Sequence, residues 1–271
     1  MGRPKVMGVL NITPDSFSDG DRFNTLAGAL AQARRIVAQG ADILDVGGES
    51  TRPGAEPVSE EVEIARVAPL IAAIAAESSV QISVDTLKPA VARAAMAAGA
   101  TMWNDVNALR APGAPELAAE LGCEVVLMHM QGDPRTMQIA PAYADVASEV
   151  AMFLTERAAV AINAGVVRDR IWLDPGIGFG KTLSHNLALL ADLERFVDLG
   201  FPVLLGVSRK RFLAALDPAA EDPDHRLAGS LSAALAGARA GVAGFRVHDV
   251  METIQALKVQ AAIMNPRLAR P

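Results

Sequence analysis

The sequence is poor in several residue types, and each shortage excludes a class of protein. With a single cysteine, Cys123, in 271 residues, no intramolecular disulfide can form, which fits a reducing compartment. No apolar run approaches the roughly 18 residues of a membrane span, and no secretory leader precedes the first apolar run. We therefore expect a cytoplasmic protein without a membrane-spanning segment.

Basic residues are also in short supply. The chain has 25 Lys and Arg against 31 Asp and Glu, a formal net charge of −6. Because nucleic-acid-binding surfaces are normally basic, we expect no nucleic-acid partner, although a few local cations could still hold a small anion. Aromatic residues are 4% of the chain and hydrophobic residues 51%, so the core must consist mainly of Ala, Val, Leu and Ile. These residues suit buried parallel strands and closely packed helices.

Short apolar runs alternate with longer amphipathic ones along the whole chain. Strands are predicted at 5–11, 42–47, 80–85, 101–106, 124–130, 171–174, 202–208 and 244–248. Helices are predicted near 25–38, 59–76, 88–98, 115–121, 143–163, 185–198, 225–240 and 251–263. Eight β-then-α units without a composition break predict an α/β fold, a single-domain (β/α)8 TIM barrel over residues 1–271. An open doubly wound sheet is the alternative.

Several residues mark helix ends. Ser59 and Ser184 are predicted to cap the helices that follow them, because each stands before a helical pattern with acidic residues. Gly40, Gly99 and Gly200 follow helical runs, where a left-handed cap favours glycine.

Polar side chains stand at the ends of the predicted strands. In parallel barrels the active site lies at the carboxyl ends of the strands. One such residue alone could be a turn former or a helix cap, but agreement among eight strands indicates a functional site. The residues are Asn11, Asp45, Asp85, Asn104, His129, Asp174, Ser208 and His248, with Lys210 and Arg246 close by.

Three of these side chains suit a heterocyclic ligand. Asp85, Asn104 and Asp174 supply two carboxylates and an amide, which can bind a ring edge that carries both donors and acceptors. A metal cage around the two aspartates is the rival interpretation. The histidines, however, show no metal-ligand spacing and no HExxH motif.

A cationic group is predicted at the same end of the barrel. Its members are Arg52, Lys210, Arg246 and His248, with Arg209 and Arg211 nearby. In an acidic protein, such a cluster favours an anionic ligand group such as phosphate or pyrophosphate.

Three connections are rich in Gly and Pro. The long segments 13–23 and 47–57 follow the first two strands and are typical of binding loops. The segment from Asp174 to Thr182 looks like a nucleotide phosphate loop, but the Walker pattern requires glycine where Pro175 stands. We interpret it as a tight loop whose glycines allow close approach of a ring.

Eight motifs occur in order along nearly the whole chain. They are GVLNITPDSFSDG, DVGGESTRPGA, SVDT, NDV, MHMQGDPRTMQ, DPGIGFGK, GVSRKRF and RVHDV. Together they resemble the signature set of the dihydropteroate synthase family, whose fold is a (β/α)8 barrel.

The resemblance implies a role for each matching residue. Pterin-binding residues would be Asp85, Asn104, Met128, Asp174, Phe179, Gly206, Lys210 and Arg246. Pyrophosphate would be bound by Asn11, Arg52, Arg246 and His248, and p-aminobenzoate by Thr51, Pro53, Phe179 and Lys210. The catalytic residues would be Asp45, Asp85, Lys210 and Arg246, and Mg²⁺ would be the cofactor, with Asn11 as its ligand.

The implied reaction condenses (7,8-dihydropterin-6-yl)methyl diphosphate with p-aminobenzoate and releases pyrophosphate. If pyrophosphate leaves first, positive charge develops on the methylene group, and acidic residues could stabilise that charge. The resemblance also implies a homodimer and a sulfonamide target. The small residues of segment 227–241 would permit close helix packing between subunits, but packing within the chain explains them equally well.

Two other functions remain open at this point. A methyltetrahydrofolate-binding methyltransferase would explain Asp85, Asn104 and Asp174, but it needs neither the STRPGA loop nor the cationic motifs. A non-catalytic pterin-binding paralogue should lack parts of the catalytic loops, whereas both loops are complete here.

Overall fold

The structure, a computed structural model, describes residues 3–12, 22–49, 57–133 and 136–265, apart from the side chains of residues 22–25. Its strands are β1 (Lys5–Asn11), β2 (Ile43–Gly47), β3 (Gln81–Asp85), β4 (Met102–Asp105), β5 (Glu124–Met128), β6 (Ile171–Asp174), β7 (Leu204–Leu205) and β8 (Gly244–Val247). Its α-helices are α1 (Arg22–Ala38), α2 (Glu60–Glu77), α3 (Pro89–Ala97), α4 (Ala114–Leu121), α5 (Val146–Asn163), α6 (Leu183–Ala191), α7 (Leu193–Val197), α8 (Arg211–Leu216), α9 (Leu227–Arg239) and α10 (Val250–Met264).

The strands form a parallel barrel. Their order is β6-β5-β4-β3-β2-β1-β8-β7, so each strand pairs with its neighbours in the chain and β1 pairs with β8. A parallel bridge between Leu173 and Val203 joins β6 to the segment before β7 and closes the sheet. The predicted (β/α)8 fold is therefore confirmed, and the open doubly wound sheet is wrong. In the described part of the chain, no helix combines the length and apolarity needed to cross a membrane.

Some predicted boundaries differ from the observed ones. The strand predicted at 202–208 is only Leu204–Leu205, since Pro202 lacks an N–H for the ladder. The helix predicted at 185–198 is two helices, α6 and α7, which meet at Asp192. The short helix α8 lies outside the predicted helices.

The predicted helix caps are correct except at α6. Ser59 caps α2 by accepting a hydrogen bond from the Val62 N–H, and the three capping glycines all have positive φ. At α6 the cap is Thr182 rather than Ser184, because Thr182 and His185 form a reciprocal capping box.

An apolar layer fills the inside of the barrel and sets the position of the site. It consists of Met7, Ile43, Met102, Val126, Trp172 and Leu204. Since side chains alternate along a strand, the residues two places further along also point inward, one layer nearer the carboxyl ends. On four strands these residues are Asp45, Asn104, Met128 and Asp174, and the corresponding residue directly after β7 is Gly206. The same alternation places Arg246 of β8 inward, two residues after Gly244.

Candidate functional site

A charged network occupies the barrel above its apolar layer. Arg246 donates from Nε to Asp45 Oδ2 at 2.6 Å and from Nη2 to Asp85 Oδ2 at 2.7 Å. Asn104 Nδ2 donates to the same Asp45 oxygen at 3.1 Å. Residues from β2, β3, β4 and β8 thus meet at one point, although up to 201 positions separate them in the sequence.

Two carboxylate oxygens of this network are buried without a partner among the described residues. They are Asp45 Oδ1 and Asp85 Oδ1. The Ser83 hydroxyl beneath them is also buried without a partner among the described residues. A buried polar atom that forms no hydrogen bond is costly. Acceptors of this kind, directed into the barrel, suit a ligand that presents N–H donors.

Burial changes the charge properties of the site. It raises the pKa of Asp85 to about 7, although the Arg246 charge pulls in the opposite direction. It also raises the pKa of Asp174, against the Gly176 backbone N–H and the Lys210 charge. Burial lowers the pKa of Lys210 to about 8. For Arg246 the two aspartates outweigh burial, so its pKa lies above the ordinary arginine value.

The segment after β6 brings the backbone close to these charges. Asp174 Oδ1 accepts a hydrogen bond from the Gly176 N–H at 2.7 Å. Gly176 has a φ of +68°, and a Cβ there would lie 1.9 Å from the His129 carbonyl oxygen. Further along, Phe179 lies beneath the Lys210 ammonium, 4.2 Å from Nζ to the ring centroid. The segment is therefore a tight loop, as predicted, and its close approach to a bound ring stays a prediction.

The predicted cationic group divides in two. Lys210 and Arg246 face the barrel, and the His248 ring lies beside Ser208, with Nδ1 3.1 Å from Oγ. Burial and the Arg246 charge lower the pKa of His248 to about 4, which disfavours its predicted positive charge near pH 7. Arg209 pairs with Asp249 instead of facing the barrel.

His129 also departs from its predicted place in the barrel mouth. It is one residue out of phase with Met128, so its ring points outward and packs edge-on against Phe153 of α5 at 4.9 Å. Its Nδ1 lies 3.0 Å from Lys181 Nζ. Burial and the Lys181 charge lower the pKa of His129 to about 3.

The structure brings Asp45, Asp85, Asn104 and Arg246 together in one network, and Lys210 lies near it. Their roles in binding and catalysis stay predictions. Thr51, Arg52 and Pro53 lie outside the described residues, as do 13–21 of the first long loop and 50–56 of the second. Asn11 ends β1 opposite Gly47, and its Oδ1 is 3.2 Å from where a Gly47 Cβ would lie.

Lys181 was not among the predicted site residues, and it is buried behind the loop. Its Nζ donates to the Phe179 carbonyl oxygen at 2.9 Å and contacts the His129 ring. Burial lowers its pKa to about 7. A lysine directly after a glycine-rich loop was the available signal, but rejection of the phosphate-loop motif left it without a role.

A cavity of about 570 Å³ opens at the amino end of the barrel. Three of its lining side chains already have hydrogen-bond partners: Glu124 accepts from the Gln81 amide and the Trp172 indole, each at 2.7 Å, and Lys5 donates to Gln81 at 3.2 Å. Asp45 Oδ1 and Asp85 Oδ1, which have no partner among the described residues, lie at the carboxyl end instead. We therefore place the functional site at the carboxyl end, although this other cavity is large.

Known proteins resemble this chain over nearly its whole length. A family model described as pterin binding enzyme matches residues 7–248. Dihydropteroate synthase of Escherichia coli (strain K12) is 49% identical over 267 residues, which cover 98% of this chain and 94% of that protein. The relative from Haemophilus influenzae is 44% identical over 263 residues, 97% of this chain and 94% of its own.

Solved structures extend the likeness to three dimensions. Dihydropteroate synthase of Xanthomonas albilineans with 4-aminobenzoic acid has a TM-score of 0.92 and 50% identity, covering 97% of this chain and 94% of the other. The same enzyme in complex with 7,8-dihydropteroate has a TM-score of 0.88 and 48% identity over the same shares. A Yersinia pestis enzyme with a sulfonamide drug has a TM-score of 0.90 and 44% identity, covering 99% and 95%. This chain belongs to the dihydropteroate synthase family of pterin-binding enzymes.

Proposed function

We propose that this chain condenses (7,8-dihydropterin-6-yl)methyl diphosphate with p-aminobenzoate to give 7,8-dihydropteroate and pyrophosphate, a step of folate biosynthesis. The observation that carries the proposal is the buried network of Asp45, Asp85, Asn104 and Arg246 with its two unpartnered carboxylate oxygens. Relatives that share nearly half of their residues with this chain have been solved with 4-aminobenzoic acid and with 7,8-dihydropteroate.

The pterin ring binds above the apolar layer of the barrel. Asp85 Oδ1 and Asp45 Oδ1 face the interior as free acceptors and are suited to the ring's N–H donors. Asn104 presents an amide, and Asp174 a third carboxylate. Met128 provides an apolar wall. Gly206 leaves open space, because a Cβ at this position would lie 4.0 Å from Asp174 Oδ2, inside the site.

The aromatic amine binds beside Phe179 and Lys210. These two side chains form a cation–π pair, so a flat ring inserted next to them keeps both an apolar face and a nearby positive charge. Thr51 and Pro53 complete this pocket in our proposal, and Arg52 joins Asn11, Arg246 and His248 at the pyrophosphate.

The reaction breaks the bond between the pterin methylene carbon and the pyrophosphate oxygen, and pyrophosphate leaves with the bonding electrons. Positive charge on the methylene spreads into the ring, where the carboxylates of Asp85 and Asp174 stabilise it. The lone pair of the aniline nitrogen then forms the new C–N bond, and the nitrogen loses its proton. No enzyme nucleophile is needed, and burial raises the pKa of Cys123 to about 11, so it is not a thiolate.

Mg²⁺ is the cofactor we propose, held at Asn11. Mg²⁺ prefers oxygen ligands and commonly uses one or two from the protein, with substrate phosphates and water completing the set. Glycine at position 47 leaves space beside the Asn11 Oδ1 atom, and a Cβ there would lie 3.9 Å from Asp85 Oδ2. This space suits such a partial site. When bound there, the ion would neutralise charge on the leaving pyrophosphate.

We also propose that the protein is a cytoplasmic homodimer. Its only cysteine is buried and can form no intramolecular disulfide, which supports a reducing compartment.

The glycines of α9 pack within the chain, with Gly237 against Leu205 and Phe245, and therefore do not mark an interface. Exposed apolar side chains on α10, among them Ile263 at 71%, suit a subunit contact. Light scattering of the purified protein would test the dimer.

The test of function is a product assay. Purified protein with Mg²⁺ and the dihydropterin pyrophosphate is incubated with and without p-aminobenzoate, and dihydropteroate and pyrophosphate are both measured. We expect dihydropteroate only when the amine is present, and some pyrophosphate without it, because cleavage comes first. Tight pterin binding with neither product would overturn the proposed activity. Pyrophosphate release that strictly requires the amine would overturn only the order of steps.

A further inference from the structure

Arg209 has an unusual backbone conformation directly before a site lysine. Its φ is +56°, in the left-handed region that side chains other than glycine rarely adopt. The next residue, Lys210, carries the ammonium group above Phe179. Such strain persists only where the surrounding structure holds it, and it concentrates at functional sites.

Neighbouring side chains hold the backbone of Arg209 on both sides. Its N–H donates to Ser230 Oγ at 2.9 Å, and its carbonyl oxygen accepts from Arg226 Nη1 at 2.9 Å. Ser230 Oγ in turn donates to the Arg226 carbonyl oxygen at 2.7 Å. The beginning of α9 therefore fixes the peptide groups on either side of the strained residue.

The Arg209 side chain is held as firmly as its backbone. The guanidinium donates from Nε and Nη2 to the two Asp249 oxygens, at 3.1 and 2.6 Å, and from Nη1 to Asp224. Asp249 follows His248, the histidine beside the pyrophosphate site in our proposal. The bidentate pair therefore ties the segment after β7 to the segment after β8.

A second cross-link joins the same two segments. Ser208 Oγ lies 3.1 Å from His248 Nδ1 and accepts from the His248 N–H at 3.1 Å. Ser208 is thus bound to His248, and Arg209 to Asp249. Lys210 is the next residue along and bears its charge inside the barrel. Any rotation about the Arg209 backbone would move Lys210 away from Phe179.

We infer that Arg209 is a positioning residue, which fixes the backbone turn that directs Lys210 into the site and keeps it aligned with His248. The inference rests on the proposed function, because it assigns to Lys210 a role in substrate binding. Stability alone does not explain the arrangement. The Arg209 side chain is 31% exposed, and ion pairs this exposed contribute little to folding.

The test compares two bidentate Arg–Asp pairs of similar exposure at opposite ends of the barrel. Arg209→Gln removes the pair with Asp249, and the control Arg3→Gln removes the pair of Arg3 with Asp42, whose distances are 2.6 and 2.9 Å. We expect kcat/KM for p-aminobenzoate to fall about tenfold to a hundredfold in Arg209→Gln and to be unchanged in Arg3→Gln. Both variants should lose a similarly small amount of thermal stability.

The variant Arg209→Gly shows whether the Arg209 side chain positions Lys210 or whether the backbone strain has no functional role. Glycine adopts the left-handed conformation freely but has no side chain to anchor it. We expect it to be as impaired as Arg209→Gln, whereas wild-type activity in Arg209→Gly would overturn the inference.

The pH profile supplies a second readout. The groups that act on Lys210 are Asp174, Arg246 and Asp85, and burial holds its pKa at about 8. If Lys210 moves toward solvent in Arg209→Gln, the alkaline limb of kcat/KM should shift upward. An unshifted limb with normal kcat/KM would contradict the inference, whereas a wild-type protein that forms no dihydropteroate would contradict the proposed function itself.

Discussion

Lys210 carries a charge that depends on its surroundings. Burial disfavours its ammonium form, and only the attraction of Asp174 and Asp85 offsets this cost. Its pKa of about 8 lies close to neutral pH, unlike that of an exposed lysine. A residue in this condition binds an anionic or π-rich substrate only while it is protonated, so its titration should be visible in the rate.

We predict that kcat/KM declines as the pH rises through about 8. Below that pH, Lys210 is charged and interacts with substrate, and above it the charge is lost. The measurement is a pH–rate profile of the wild type and of Lys210→Met. The variant should be slow, by about 10²-fold or more, and should lack the limb. A limb of the same midpoint in Lys210→Met would assign the titration to another group.

The connection between β2 and α2 illustrates how an element is held near the site. Lys88, before α3, donates to Glu49 at 2.7 Å, to Glu63 at 2.6 Å and to the Val58 carbonyl oxygen at 2.6 Å. Glu63 is fully buried, so this lysine neutralises a charge that water cannot reach. The network joins two consecutive β/α units, β2–α2 and β3–α3, at the carboxyl end of the barrel.

Lys88→Met should therefore be strongly destabilising. It leaves the Glu63 carboxylate buried without its partner, which costs about 3–5 kcal/mol of unfolding free energy. Arg93→Met, which breaks the exposed pair of Arg93 with Glu120, should change the unfolding free energy far less, because water screens that pair. Urea unfolding of both variants, and of Lys88→Met combined with Glu63→Leu, measures the difference. Equal losses in the two single variants, or no recovery in the double variant, would count against a buried charge.

The loop after β6 depends on close backbone contact. Gly176→Ala places a Cβ 1.9 Å from the His129 carbonyl oxygen at a φ of +68°, so the loop must move. Gly113→Ala is a matched control, since φ there is +74° and no atom of the described residues lies within 4 Å of the added Cβ. We expect Gly113→Ala to lower the unfolding free energy by only about 1–2 kcal/mol, the cost of a side chain in the left-handed region. Gly176→Ala should lower it by more and should also weaken pterin binding. Calorimetric titration with the pterin substrate checks this, and equal affinity in both variants would contradict it.

On the scale of the whole molecule, the barrel and the approximate site could be predicted because both depend on local patterns. Alternation of strands and helices implies the closed sheet, and its geometry brings Asp85, Asn104 and Asp174 to one end. The charge on His248 could not be predicted, since burial and Arg246 determine it. Nor could the ties of Arg209 to Asp249 and Ser230, because contacts across 40 and 21 positions leave no periodic signal.

Two buried histidines should make the protein sensitive to acid. His129 and His248 have pKa values of about 3 and 4 in the folded chain, below their ordinary 6.5. Between the folded pKa values and 6.5, the unfolded chain binds more protons than the folded chain. The stability that the two neutral histidines contribute is therefore fully present above about pH 6.5 and is lost as the pH falls toward 4. Asp85, whose pKa is raised to about 7, acts in the opposite sense over part of this range.

His248→Asn should therefore reduce the acid sensitivity. Unfolding free energies measured from pH 8 to pH 4 should fall less steeply in this variant, by at most about 1.4 kcal/mol per pH unit for one proton. An unchanged slope would show that His248 is not the titrating group.

The central claim is that substrate reacts at the carboxyl end of the barrel and not in the cavity at its amino end. The most direct test is kcat/KM for dihydropteroate formation in Asp85→Asn and Glu124→Gln, which remove one carboxylate from each end. We predict a loss of about a hundredfold or more in Asp85→Asn and less than about twofold in Glu124→Gln. Normal turnover in Asp85→Asn, or the larger loss in Glu124→Gln, would contradict the account.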